Sequence, residues 1–197
     1  MEMFENYIKE PRMIDVKKMS KLSFFFALIT MALFVFIFFY ANSNFSLDAM
    51  FTSRTWLEIV WLFIKLILWV IIGICLHELV HGIFFALFAK RGFKSIKFGI
   101  LTNPVFAFYC HSSEPLKVRQ YMLAAIMPLV LTGILPAIIA VLNTDLILLM
   151  AAYVLTIGAI GDLMMIQMLM KESKNSYVLD HPTDIGFYIL KDNNHTA

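Results

Sequence analysis

Four long apolar runs parted by short polar stretches constrain this chain more than any other feature. Crossing a bilayer takes about 20 mainly apolar helical residues, because the hydrocarbon is about 30 Å thick and a helix rises about 1.5 Å per residue. Leu22 to Ala41, Trp56 to Ala89, Tyr121 to Leu142 and Leu146 to Met170 each reach that length. The sequence therefore predicts a mainly α, integral membrane fold with four transmembrane helices. Composition agrees: only 15% of residues are Asp, Glu, Lys or Arg, against about a quarter in soluble domains, too few to coat a soluble core. The formal charge of +2 gives no surface suited to nucleic acid, and the lipid bilayer is the expected partner of most of the apolar surface.

The first run follows a basic segment, is longer than a cleaved signal's apolar core and lacks a small-residue cleavage site, so it reads as a signal anchor. The second run, Trp56 to Ala89, would be about 51 Å long as one helix, more than the membrane needs. Its embedded part is expected from about Leu66 to Ala89, with Trp56, Glu58, Trp61 and Lys65 in an outer interfacial extension. Lys and Arg fall as five before the first run, one between the first two, six between Lys90 and Arg119, none in the 143–145 turn and three after Met170. By the positive-inside rule both termini and the long middle loop are expected in the cytoplasm of a multi-pass cell-membrane protein.

No internal repeat or low-complexity linker divides residues 1–197, which read as one multi-pass membrane domain. The middle loop predicts a short cytoplasmic β-hairpin between helices 2 and 3: Ser95 to Leu101 partly alternates, Thr102, Asn103 and Pro104 supply a turn, and Val105 to Cys110 follow. Ser113 before Glu114 and Pro115 predicts the cap and first turn of the third helix. Tyr177 to Leu179 and Ile185 to Leu190, around Asp180, His181, Pro182 and Thr183, are expected as strands. Cys75 and Cys110 have no metal or redox spacing and read as ordinary thiols.

The second run contains Leu76-His77-Glu78-Leu79-Val80-His81-Gly82. Helical spacing puts His77 and His81 one turn apart on one face, where two imidazoles reach a single zinc ion, with Glu78 beside them to act as general base toward a water. Each charge at mid-membrane costs about 2.5–3.5 kcal/mol on insertion scales, so three ionisable residues within five need a shared compensation. A divalent cation offers one; the bland alternative is a hydrogen-bonded polar seam between helices. A catalytic zinc site wants a third protein ligand and an open position. Asp162 is the acidic residue deep in the fourth run, and it lies nine residues before Lys171 as His81 lies nine before Lys90. Gly158 and Gly161 are expected to let helix backbones approach beside it. Asp180, His181, Asp184 and His111 are alternative ligands, all in segments expected to meet water.

With those residues in view, the chain resembles the site-2 protease group of intramembrane zinc metalloproteases. More closely, the His-Glu-x-x-His run, Gly161-Asp162-Leu163 and Asp180-His181-Pro182 resemble a bacterial membrane family described as putative zincin peptidases. The resemblance covers about Leu66 to Leu190. It implies zinc as cofactor, His77, His81 and Asp162 as ligands and Glu78 as catalytic acid/base. Site-2 proteases place their Asp before Gly, in Asn-Pro-Asp-Gly or Leu-Asp-Gly, whereas Leu163 follows Asp162 here.

The expected activity is a zinc-dependent HExxH metallopeptidase hydrolysing peptide bonds in or near the membrane, with a membrane protein or peptide as substrate. An extended substrate adding to the hairpin edge is one role for the middle loop, a packing flap the other. A non-catalytic zinc-binding scaffold or regulator is the alternative. A transporter ranks behind both, because no inverted repeat or pair of broken helices is visible.

Overall fold

The structure is a computed structural model and describes residues 7–101, 107–181 and 184–192. In chain order the elements are β1 (Tyr7–Met13), α1 (Val16–Ala41), α2 (Leu47–Thr52), α3 (Trp56–Phe88), a 3-10 turn (Gly92–Ser95), β2 (Ile96–Leu101), β3 (Ala107–Ser112), β4 (Leu116–Lys117), α4 (Val118–Pro128), a π-helical segment (Leu129–Ile134), α5 (Leu135–Leu142), α6 (Leu146–Gly158), α7 (Ile160–Leu169), β5 (Tyr177–Asp180) and β6 (Gly186–Asp192). Four helical stretches are long and apolar enough to cross a membrane: Val16–Ala41, Trp56–Phe88, Val118–Leu142 and Leu146–Leu169. They follow the four apolar runs, and most of the chain is helical.

Particular residues set the boundaries. Asp15 starts α1 by accepting the Lys17 and Lys18 backbone N–H groups at 2.9 and 3.2 Å, so this helix begins before the apolar run does. The second run is one uninterrupted helix of 33 residues; with no Pro and only Gly73 and Gly82 inside, nothing breaks it. The third stretch has two prolines, Pro128 and Pro136, and a π-helical segment between them. The fourth is interrupted at Ala159, immediately before the turn that carries Asp162.

The chain forms two compact units. One draws on Met1–Ser20, Glu78–Met127 and Gly161–Ala197, the other on Lys21–His77 and Pro128–Ile160. In the second unit Phe38, Ala137, Ala140, Leu149 and Ala152 form a core of small residues around one aromatic. Gly73 takes the Leu155 side chain so closely that an added Cβ would lie 2.2 Å from its Cδ1. Asp145 caps α6 by accepting the Leu148 N–H at 3.0 Å and pairs with Lys65 at 3.2 Å, which ties α3 to the turn between α5 and α6.

In the first unit a four-stranded antiparallel sheet runs β1-β6-β5-β4. The segment before the first apolar run is therefore a strand, one that its Lys-Glu-Pro-Arg sequence hides. Pro11 is tolerated because β1 is an edge. Tyr7 pairs with Asp192 and Met13 with Gly186, and Gly186 is needed because a Cβ there would sit 2.3 Å from the Arg12 carbonyl oxygen. The strands expected after the fourth run are β5 and β6. β2 and β3 form the expected antiparallel ladder, Ile96 opposite Ser112 and Phe98 opposite Cys110; its proposed turn lies outside the described residues. Ser113 is not the cap of the next helix. Its hydroxyl and its N–H both donate to the Ser95 carbonyl at 2.8 Å, closing the hairpin base. Leu116 and Lys117 join the sheet, and α4 starts at Val118 with Gln120 Oε1 accepting the Lys117 N–H at 3.0 Å.

Candidate metal centre

The last turns of α3 carry the ionisable face. Leu76, Leu79 and Ile83 are exposed on the outer side, whereas His77 and His81 are only 9% and 6% exposed. The (i, i+4) spacing puts the two imidazoles one above the other, and Glu78, between them in sequence, lies three residues before His81 on that face. His77, His81 and Asp162 make up the candidate ligand set.

His81 Nε2 lies 3.3 Å from Asp162 Oδ1. Its other nitrogen, Nδ1, lies 3.1 Å from the Ala124 carbonyl oxygen. A carbonyl only accepts, so Nδ1 carries a proton, and Nε2 is the ring nitrogen turned to the carboxylate. An imidazole nitrogen and a carboxylate oxygen at this separation can both bind one cation. His77 has a similar backing: its Nδ1 lies 3.4 Å from Thr132 Oγ1, whose own proton goes to the Pro128 carbonyl at 2.8 Å. Imidazole and carboxylate are the donor set of zinc enzymes, so the residues present fit that metal.

The hairpin packs on the same helix. A Cβ at Gly82, the residue after His81, would lie 2.6 Å from Phe98 Cζ on β2 and 3.5 Å from Cys110 Sγ on β3. Burial pushes the Cys110 thiol up, helped by the carboxylates of Glu78 and Asp180. Behind His81 the ring of Phe85 stacks near-parallel at 5.9 Å, and Tyr121 follows at 5.1 Å from Phe85.

The alternative ligands sit elsewhere. Asp180 accepts the Tyr121 hydroxyl proton and the Ser112 N–H, the latter at 2.8 Å, tying β5 to α4 and the hairpin. Burial raises its carboxyl to about 6 despite those two hydrogen bonds and the nearby His81. His181 Nδ1 accepts the Asp184 N–H at 2.9 Å, and His111 stacks on Tyr109 at 5.3 Å. Gly158 and Gly161 do not admit a second backbone as expected; an added Cβ at either meets nothing within 4 Å. Sequence reasoning missed Ala124, Thr132, Tyr121 and Asp180 as supports of the site. The proline spacing was the available signal, since Pro128 takes away the N–H that Ala124's carbonyl would otherwise receive.

A family model described as "Putative zincin peptidase" matches residues 70–177, more than half of the chain. The chain belongs to this family. The matched stretch of the zincin peptidase family runs from within α3 to the first residue of β5, and so contains His77, Glu78, His81 and Asp162. The family description makes a zinc-dependent metallopeptidase the coarse functional class. No curated protein and no solved structure matches the chain.

Proposed function

We propose that this zincin-family protein is an intramembrane, site-2-protease-like zinc metallopeptidase of the HExxH type. His77, His81 and Asp162 hold the metal and Glu78 is the catalytic acid/base. The four long apolar helices cross the cell membrane, with both termini and the β2–β3 hairpin on the cytoplasmic side, as the clustering of Lys and Arg supports. The substrate is a membrane protein or peptide presented in extended form, since a helix engages its own carbonyls.

The observation that carries this reading is His81. Its Nδ1 proton is committed to the Ala124 carbonyl, and its Nε2 faces the Asp162 carboxylate at 3.3 Å. A zinc ion held there would supply Lewis acidity toward a scissile carbonyl and acidify a water. Glu78, on the same helix face, receives the proton of the attacking water and passes it to the leaving amine. The buried walls around His77 and His81 keep bulk water from the charged groups and strengthen each electrostatic contact.

The test is zinc content and cleavage measured together on the purified full chain. Wild type should carry zinc and cleave a membrane-protein substrate; Glu78→Gln should keep the zinc and lose turnover. His77→Ala, His81→Ala and Asp162→Ala should lose the metal. Undiminished turnover in Glu78→Gln would contradict the assignment, and zinc retained by all three ligand variants would remove the site.

A further inference from the structure

We infer that the proline-interrupted helix running from Val118 to Leu142 is the orienting element of the metal site, with Pro128 and Thr132 as positioning residues. This rests on the metal reading above. In an unbroken α-helix the Ala124 carbonyl would accept the N–H of residue 128, but that residue is proline and has none. The freed carbonyl instead takes the Nδ1 proton of His81 at 3.1 Å. One turn later the helix widens into the π segment Leu129–Ile134, followed by Pro136, which likewise leaves the Thr132 carbonyl without its usual donor. Thr132 lies in that segment and is 5% exposed. Its hydroxyl donates to the Pro128 carbonyl at 2.8 Å and keeps a lone pair directed at His77 Nδ1, 3.4 Å away.

The two contacts have the same chemistry. Each imidazole has an oxygen on its Nδ1 side, the Ala124 carbonyl for His81 and the Thr132 hydroxyl for His77, which leaves Nε2 to act as the ligand atom. Acceptors behind a ligating histidine fix its tautomer and ring plane and raise its basicity. Both come from one stretch of chain: the first exists because Pro128 leaves the Ala124 carbonyl without its helical donor, and the second is made from within the π segment. Thr132 is the one hydroxyl between Tyr121 and Leu142, in a run that is otherwise almost wholly apolar.

The experiment is zinc affinity by chelator competition on the full chain in detergent, for wild type, Thr132→Val, Thr132→Ser, Pro128→Ala and His77→Ala, with thermal unfolding of each metal-free protein alongside. Thr132→Val keeps the shape and removes the acceptor, and should weaken zinc binding about 10- to 100-fold. Thr132→Ser should restore it. Pro128→Ala returns an N–H that competes for the Ala124 carbonyl and should weaken binding without lowering metal-free stability, an effect that a merely structural proline would not produce. Wild-type zinc affinity in both Thr132→Val and Pro128→Ala, with binding lost in His77→Ala, overturns this inference and leaves the metal site standing. A wild-type chain that takes up no zinc overturns the metal reading and this inference with it.

Discussion

Replacing Asp180 by Asn should flatten part of the pH dependence of folding stability. The Asp180 carboxylate is pressed between β5, α4 and the hairpin, and burial raises its pKa from the ordinary 3.8 to about 6. The Tyr121 hydroxyl, the Ser112 N–H and nearby His81 each hold it down, and burial outweighs them. Because the folded value lies above the unfolded one, the folded state binds the extra proton between those values. This group's contribution to stability is therefore greatest at low pH, falls as pH rises from about 4 to about 6, and is level above that. At about 1.36 kcal/mol per pH unit the full change is about 3 kcal/mol. Asn keeps an acceptor for Ser112 and does not titrate. Denaturant unfolding in micelles, stepped from about pH 3.5 to about pH 7, should show wild type losing stability relative to Asp180→Asn as pH rises. Parallel curves for the two proteins would refute the balance of burial against hydrogen bonding.

Four glycine substitutions test the packing. Gly82→Val places branched atoms where Phe98 Cζ already lies 2.6 Å from the Cβ position, so it should lift the hairpin at a cost of about 1–3 kcal/mol, read as faster trypsin cleavage around Lys97. Gly186→Ala meets backbone, the Arg12 carbonyl at 2.3 Å, and should detach β1 from β6, seen as faster hydrogen exchange at the amides of residues 7–13. Gly158→Ala and Gly161→Ala meet open space and should each be neutral or add up to about 1 kcal/mol of stability by denaturant unfolding.

The long helices were legible because their signal is cumulative: dozens of apolar residues outvote any single one. The His77-Glu78-x-x-His81 run was legible for the opposite reason, as ionisable residues stand out against an apolar background, and the same contrast singled out Asp162. What stayed hidden depends on partners far along the chain. Lys9-Glu10-Pro11-Arg12 has no strand pattern of its own and becomes one because β6 offers an edge. Ser113 looked like a helix cap, yet its hydroxyl is drawn to the Ser95 carbonyl. Gly158 and Gly161 suggested close helix contact, whereas the close approaches occur at Gly73, where Leu155 waits, and at Gly82, where Phe98 does. Ala124 could be noticed only by asking what a proline four residues later leaves undone.

The pairing of β1 with β6 has a consequence for the order of assembly. The first strand leaves the ribosome long before the strand it zips to, whose residues 186–192 are among the last described. During that interval the helices, rich in local bonds, can form, while the sheet cannot close. β5, which presents Asp180 to Tyr121, gains its neighbour β6 only then. A nascent chain thus holds its His-Glu-x-x-His helix well before the clasp that braces the surroundings of His81, which closes only once β6 has emerged.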